Sequence, residues 1–395
     1  MKRVIVTGHN YASLVTVARC LGSAGYEADV LRVGKRTGNF FKDYGRFPEA
    51  KSRFVSKHVV CGVKDPEVYV RKLVSEFAGE DKALVIPVDD GTAEIIDSHF
   101  DTLKEHFILP CAGDRQGGVN ALMDKYYQKD LAKKAGLPVP GGFSVEIKNK
   151  TYTLPEGIAY PCFVKPELPF KGRKAYMGKC DTPEELKKIL DSAASALDCR
   201  MLIEDYVDIE KEYGVVGLAY GEVCVPGIIE KTTVGHGSQA GVTVCGKIHD
   251  PSEYPGLAEK LKAFMKLTGF TGMFDIDLYE SGGVMYFNEL NVRMGGEGAG
   301  LLAAGANLPA MYADAVNGKE VDFDISAPAV TFVNERPLAS ELAEGYISKK
   351  EYGKMIESAQ YRCVYAEDDK EPFKEFRRLV LKERIRLSIK GGQAK

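Results

Sequence analysis

The residues best equipped for chemistry lie in one stretch, 273–293, where Asp275, Asp277, Glu289 and Asn291 alternate with apolar residues. Two apolar-rich runs flank Ser281-Gly282-Gly283, which is a hairpin signal. On a strand, residues two apart share a face, so Asp275 points with Asp277, and Glu289 points with Asn291. Whether the two pairs share a face depends on the turn. A three-residue loop over 282–284 pairs Ser281 with Met285 and sets Asp277 opposite Glu289; a two-residue loop puts them on opposite faces. In the first register one face carries two carboxylates and a carboxamide oxygen. That is the hard donor set Mg²⁺ takes together with phosphate oxygens. Arg293 comes two residues after Asn291, followed by Gly295, Gly296 and Gly298. A cation and closely approachable backbone amides beside strand-borne acids fit a phosphate or acyl-phosphate site better than an ordinary exposed hairpin.

The elements that must position these residues are legible on either side. Residues 3–8 read as a buried parallel strand, Leu14, Val17, Ala18 and Leu21 as a helix face, and residues 27–33 as a second strand, together a βαβ unit. The run 83–88 ends in Asp89-Asp90-Gly91, at the carboxyl end of a strand, where open α/β sheets bind ligands. Asp and Gly are equally turn residues, so a plain turn competes with substrate contact by Asp89 and Asp90. Helices are expected from Lys125 to Ala135, stopped by Gly136 with Pro138 and Pro140 beyond, and from Thr182 to Ala196. Residues 230–241 read as a glycine-rich loop that offers Lys231, His236 and Ser238 to a substrate. His236 either orients a carboxylate and accepts a proton, or is simply solvated. The basic amphipathic segment 373–390 is expected to pack its apolar stripe on its own domain rather than on a membrane.

Composition narrows the class. The chain has 395 residues, with 53 Lys and Arg against 56 Asp and Glu, so it lacks the basic surface a general nucleic-acid binder needs. Nine cysteines with no Cys-x-x-Cys spacing suggest free thiols in the cytoplasm rather than disulfides or zinc. Neither Gly-x-Gly-x-x-Gly nor a Walker A pattern is present, and no apolar stretch is long enough to span a membrane. Of 41 glycines, 17 fall between residues 201 and 300, so the surplus marks the region of the hairpin.

With these blocks in order, residues 274–296 resemble the metal-binding hairpin of the ATP-grasp superfamily, and the resemblance extends over roughly residues 1–320. It implies that Asp277, Glu289 and Asn291 hold two Mg²⁺ ions, with Mn²⁺ as a substitute, and that Arg293 is a catalytic cation. Asp124-Lys125 ahead of Gly136-Leu137-Pro138-Val139-Pro140 resembles the helix that opens that fold, with Lys125 near the phosphates of ATP. Phe163-Val164-Lys165-Pro166 resembles the strand whose lysine meets the α-phosphate. Ile203-Glu204-Asp205-Tyr206-Val207 resembles the hinge that holds adenine, and Glu212 matches the acid on the ribose hydroxyls. The loop after Lys165 departs from the pattern, offering Gly172 alone among Lys171, Arg173 and Lys174; side-chain cations there would contact phosphate in place of backbone amides.

The nearest likeness within the superfamily is to amino-acid ligases of the D-aspartate ligase kind and to half of a carbamoyl-phosphate synthetase large subunit. The resemblance implies an α/β protein: an N-terminal parallel-sheet domain over residues 1–116, then an α+β ATP-grasp fold over 117–320 with a lid subdomain at about 143–206. Residues 321–395 are a C-terminal extension or small domain. The implied activity activates a carboxylate, of an amino acid, as an acyl phosphate and joins it to an amine, releasing ADP and phosphate. His236 is a further candidate for catalysis, and Gly295 and Gly296 for substrate contact. An ATP-binding regulator without turnover and a bicarbonate-activating enzyme are the alternatives. The partners implied are small-molecule carboxylate and amine substrates, with a homodimer as the assembly such folds often adopt.

Overall fold

The computed structural model describes residues 2–38, 43, 45–62, 65–167 and 176–392, without the side chains of Ser238, Ala303 and 383–392. The chain opens with a five-stranded parallel sheet: β1 (Arg3–Gly8), β2 (Glu27–Val33), β3 (Val55–Cys61), β4 (Ala83–Pro87) and β5 (Phe107–Ile108), in the order β3-β2-β1-β4-β5. Strand order reverses between β1 and β4, so their carboxyl ends, Gly8 and Val88-Asp89, flank the crevice where such sheets take ligands. Gly8 has φ +152°, and a Cβ there would lie 2.3 Å from Asp89 Oδ2. The central strands β1 and β4 read as near-continuous apolar runs because both faces are covered. Val4, Val6, Val30 and Leu84 share one core with Leu14 and Val17 of the first helix, Tyr11–Ser23.

A short strand, β6 (Cys111–Ala112), already pairs with the later sheet. The segment expected to form a lid is a four-stranded antiparallel sheet of β7 (Gly142–Ile147), β8 (Cys162–Pro166), β9 (Gly178–Cys180) and β10 (Cys199–Asp205), in the order β7-β10-β8-β9. Its core packs Val145, Val164 and Met201 against Leu186 and Leu190 of the helix Pro183–Ala196. Thr182 caps that helix and Pro183 opens it, as the sequence signals require.

The main sheet has nine strands. Besides β6 it contains β11 (Lys211–Tyr220), β12 (Glu222–Cys224), β13 (Ile228–Val234), β14 (Thr243–His249), β15 (Phe270–Ser281), β16 (Val284–Asn291), β17 (Thr331–Val333) and β18 (Tyr361–Arg362). Residues 230–234, expected to be loop, belong to strand β13, because β14 supplies a pairing edge that sequence patterning does not reveal. β17 pairs with β14 and β18 with β17, so the C-terminal residues extend the main sheet. The last helix, Glu371–Gly392, lays Phe373, Phe376, Leu379 and Val380 against Tyr11, Ala12, Ala339 and Val364. Over its described side chains the apolar stripe therefore packs within the protein, apart from the exposed Leu381. Among the described residues no helix is long and apolar enough to cross a membrane.

Candidate active site

β15 and β16 meet at a two-residue turn, Gly282-Gly283, both with positive φ, and Ser281 pairs with Val284. Uninterrupted, that register would set Asp277 opposite Asn288 and turn Glu289 away. A β-bulge corrects it: Leu278 pairs with Phe287, but Asp277 pairs with Glu289 and Asp275 with Asn291. Asn288 is the extra residue. The expected three-residue loop is thus replaced by a tighter turn plus a bulge, which restore the same facing acids by a different route.

On this face Asn291 Nδ2 donates to Asp277 Oδ2 at 3.2 Å, and Lys231 Nζ lies 2.5 Å from Asp277 Oδ1. Arg293 bridges two elements: Nε reaches Asp90 Oδ1 at 3.1 Å and Nη1 reaches Asp275 Oδ2 at 3.0 Å. Gly295 must lack a side chain, because a Cβ would sit 2.4 Å from Asp275 Oδ2.

The lysines converge from two directions. Asp124 caps the helix Lys125–Lys134 by accepting from Tyr127 N. Gln128 docks that helix on the hairpin edge, donating to Leu290 O at 2.8 Å and accepting from Leu290 N at 2.8 Å. Lys125 thereby pairs with Glu289. From the lid, Lys165 Nζ lies 3.1 Å from Glu204 Oε2 and 3.2 Å from Asn288 Oδ1, and Lys129 also pairs with Glu204.

Electrostatics follow from this crowding. Burial alone would raise the Glu289 carboxyl, but Lys125, Lys165 and Arg293 hold it down to about 2. Burial, reinforced by Glu297, pushes Asp275 and Asp277 above the usual carboxylate range; Asp277 adds to the rise at Asp275 and Glu289 to that at Asp277, against the pull of Lys231 on both and of Arg293 on Asp275. Burial lowers Lys165 to about 7 and Lys129 to about 6, aided by the neighbouring lysines. One buried Glu204 carboxylate cannot neutralise both. The face therefore carries more negative charge than it pairs well, while the helix and lid offer cations in excess.

Asp89, Asp90, Lys231, Asp277, Arg293 and Gly296 all border one cavity of about 290 Å³ at the crevice between β1, β4 and the hairpin. Asp89 is also the cap of the helix Asp90–Ser98, accepting from His9 N and Thr92 N, so the turn role and the site position coincide in one residue. Glu212 lies 3.9 Å from Lys231, and burial raises its carboxyl. In the hinge segment, Asp205 N bonds Gly141 O and Tyr206 N bonds Pro161 O. Val207 follows directly beyond the end of β10.

His236 stands apart from this convergence. Its ring pairs with Glu341 at 2.8 Å and stacks on Tyr346 at 5.1 Å, both from the C-terminal segment. Lys171 and Arg173 lie outside the described residues, as does the Ser238 side chain. Lys129, Asn288 and Gln128 enter the site without having been singled out for it. For Lys129 a signal existed, a second lysine one helical turn after Lys125; for Asn288 none did, because only the turn length makes it a bulge.

Residues 124–304 match the family model described as the ATP-binding domain of the carbamoyl-phosphate synthase L chain. The chain is similar to the formate-dependent phosphoribosylglycinamide formyltransferase of Cupriavidus taiwanensis, 24% identical over 336 residues that cover 80% of each protein. It is also similar to the D-alanine–D-alanine ligase of Streptococcus gordonii, 29% identical over 245 residues, covering 57% of this chain and 67% of that protein. Among solved structures, N5-carboxyaminoimidazole synthetase from Staphylococcus aureus complexed with ADP superposes with a TM-score of 0.61 at 15% identity, covering 87% of this chain and 85% of the other. At that identity the likeness establishes the fold alone.

Proposed function

Residues 124–304 are an ATP-grasp domain, and from that premise we propose that the protein is an ATP-dependent ligase which activates the carboxylate of a small molecule, an amino acid in the simplest case, as an acyl phosphate. An amine then displaces the phosphate to form an amide, with ADP and phosphate released. The observation that carries this reading is the single hairpin face bearing Asp277, Glu289 and Asn291, ringed by Lys125, Lys165 and Arg293. Relatives named as a formate-dependent formyltransferase and a D-alanine–D-alanine ligase support a small carboxylate as the activated group.

The donors fit Mg²⁺, with Mn²⁺ as a substitute. All are oxygens, and burial together with repulsion from Glu289 and Glu297 raises the Asp277 carboxyl, a cost that a divalent cation would relieve. Among the described residues no group of three His, Cys, Asp or Glu forms a metal cage on protein atoms alone. That suits an ion completed by phosphate oxygens. Asp277, Glu289 and Asn291 would hold the ions, two in this reading, and the metal's chemistry is to neutralise charge on the transferring phosphoryl group. Lys125 and Lys165 hold the phosphates, the hinge 204–207 takes the base and Glu212 the ribose. Arg293, fixed at both ends by Asp90 and Asp275, stabilises the acyl phosphate without reorganising. The cysteine spacing in the sequence supports a cytoplasmic location.

The test is ADP release over pairs of amino acids and other small carboxylates and amines, with hydroxylamine added to trap an acyl phosphate. Asp277→Asn or Glu289→Gln is expected to abolish release. Near-normal turnover of either variant overturns the site assignment.

A further inference from the structure

The cavity beside the hairpin has two unlike ends. Asp275, Asp277 and Arg293 form the reacting end, whereas the other is built from the start of the helix Tyr11–Ser23 together with Asn334 and Arg336. That helix has 13 residues, and its first turn is incompletely capped. Ala12 N donates to Asn10 Oδ1 and Leu14 N to Asn10 O, while the amides of Tyr11 and Ser13 have no acceptor among the described residues. Ser13 is only 3% exposed, and its Oγ has no hydrogen-bond partner. A buried hydroxyl in that state is costly unless something binds it.

The neighbours point the same way. Asn334 Oδ1 accepts from Arg336 N, which leaves its Nδ2 uncommitted. Arg336 has no carboxylate within ion-pair distance among the described residues; its guanidinium lies 5.6 Å over the Tyr11 ring. The adjacent acids are engaged elsewhere: Asp89 by His9 and Thr92, Glu297 by Thr243, Glu335 by Arg362, Val364 and Tyr365. This end therefore presents donors: the amide and hydroxyl of Ser13 at the helix start, a carboxamide NH₂ and a guanidinium.

We propose that this donor-rich end is an oxyanion subsite, which holds a carboxylate or phosphate of one co-substrate at a part of that molecule remote from its reacting group. Which molecule carries the oxyanion rests on the ligase reading; the subsite itself does not. Ser13 and Arg336 are then specificity-determining residues, and an acceptor lacking the oxyanion is a poor substrate because it leaves their donors unpaired.

The test compares wild type with Ser13→Ala, Arg336→Gln and Arg336→Lys in ADP release. Each amino acid is paired with its own carboxamide, and phosphoethanolamine with ethanolamine. Loss of a hydrogen bond to a charged group is expected to raise KM for the oxyanion-bearing co-substrate about 10- to 100-fold and to erase the preference over its neutral counterpart. KM for ATP is expected to stay within about twofold of wild type, and Arg336→Lys to restore part of the preference. A response confined to the amino-acid arm identifies a carboxylate; one confined to the phosphoethanolamine arm identifies a phosphate. An unchanged preference in both Ser13→Ala and Arg336→Gln overturns the proposal. If no pair supports ADP release in wild type, the ligase reading fails separately. The subsite is then read by calorimetric titration of inorganic phosphate and of acetate into wild type and Arg336→Gln. Binding lost in the variant supports it; equal binding, or none to either protein, overturns it.

Discussion

At the scale of single residues, the site is governed by unequal sharing of charge. Lys165 and Lys129 both lean on Glu204, and burial lowers them to about 7 and about 6. Phosphate binding favours the protonated lysine. ATP affinity is therefore expected to be flat below about pH 6 and to weaken as pH rises through 6 and 7, by up to about tenfold per unit for each lysine that must regain its proton. Calorimetry in buffers of different ionisation enthalpy checks this: proton uptake on ATP binding at pH 8, and less at pH 6. The same shifts have a sign for folding. An unfolded lysine keeps its proton to about pH 10.4 while the folded one has lost it, so these residues make stability rise with pH between about 7 and 10. Denaturant midpoints falling across that window in wild type, but not in Lys165→Met, would contradict it.

At the scale of elements, the hairpin is a device for register. Its two-residue turn alone would point Glu289 away from Asp277, and the bulge at Asn288 absorbs one residue to bring it back. Deleting Asn288 leaves Phe287 opposite Leu278 and Glu289 opposite Asp277, and removes only the carboxamide beneath Lys165. Mg²⁺-dependent ADP release is expected to survive the deletion with weaker ATP binding. Inserting one alanine between Glu289 and Leu290 rotates Asn291 to the opposite face, and is expected to abolish that dependence. A Mg²⁺ titration of the two variants separates them. The helix Lys125–Lys134 shows similar economy: its buried Gln128 pairs with both backbone groups of Leu290, so Lys125 and Lys129 arrive at the hairpin at a fixed height.

At the scale of the whole molecule, the N-terminal sheet is joined to the chemistry. Its core is continuous with that of the main sheet, running from Val4 and Leu14 to Met294 and Phe332. Arg293 ties Asp90, just beyond β4, to Asp275 on β15. Asp90→Asn removes one charged partner from a half-buried arginine, and is expected to cost about 1.5–3 kcal/mol. The loss should fall on kcat, by about tenfold or more, with KM for ATP nearly unchanged, because the lysines proposed to hold ATP lie on other elements. Equal losses in both parameters would show that Asp90 supports the fold rather than the position of Arg293.

Much of this was written in the sequence. Parallel strands betray themselves as apolar runs, helices by caps and prolines, and the acids of β15 and β16 by two-residue spacing, because those signals are local and each costs or saves free energy within a few residues. The order of the blocks added the superfamily, which no single block could. Three-dimensional structure decided what depends on partners distant in the chain. It turned residues 230–234 into strand by supplying β14, and it replaced the expected three-residue loop with a tighter turn and a bulge. It drew His236 toward Glu341, more than a hundred residues away. It also left Ser13 buried and unpaired at the foot of a helix. Local patterning fixes which face a residue can present, whereas which groups meet across that face is set by packing between elements, and charge sharing among lysines and carboxylates exists only once they have met.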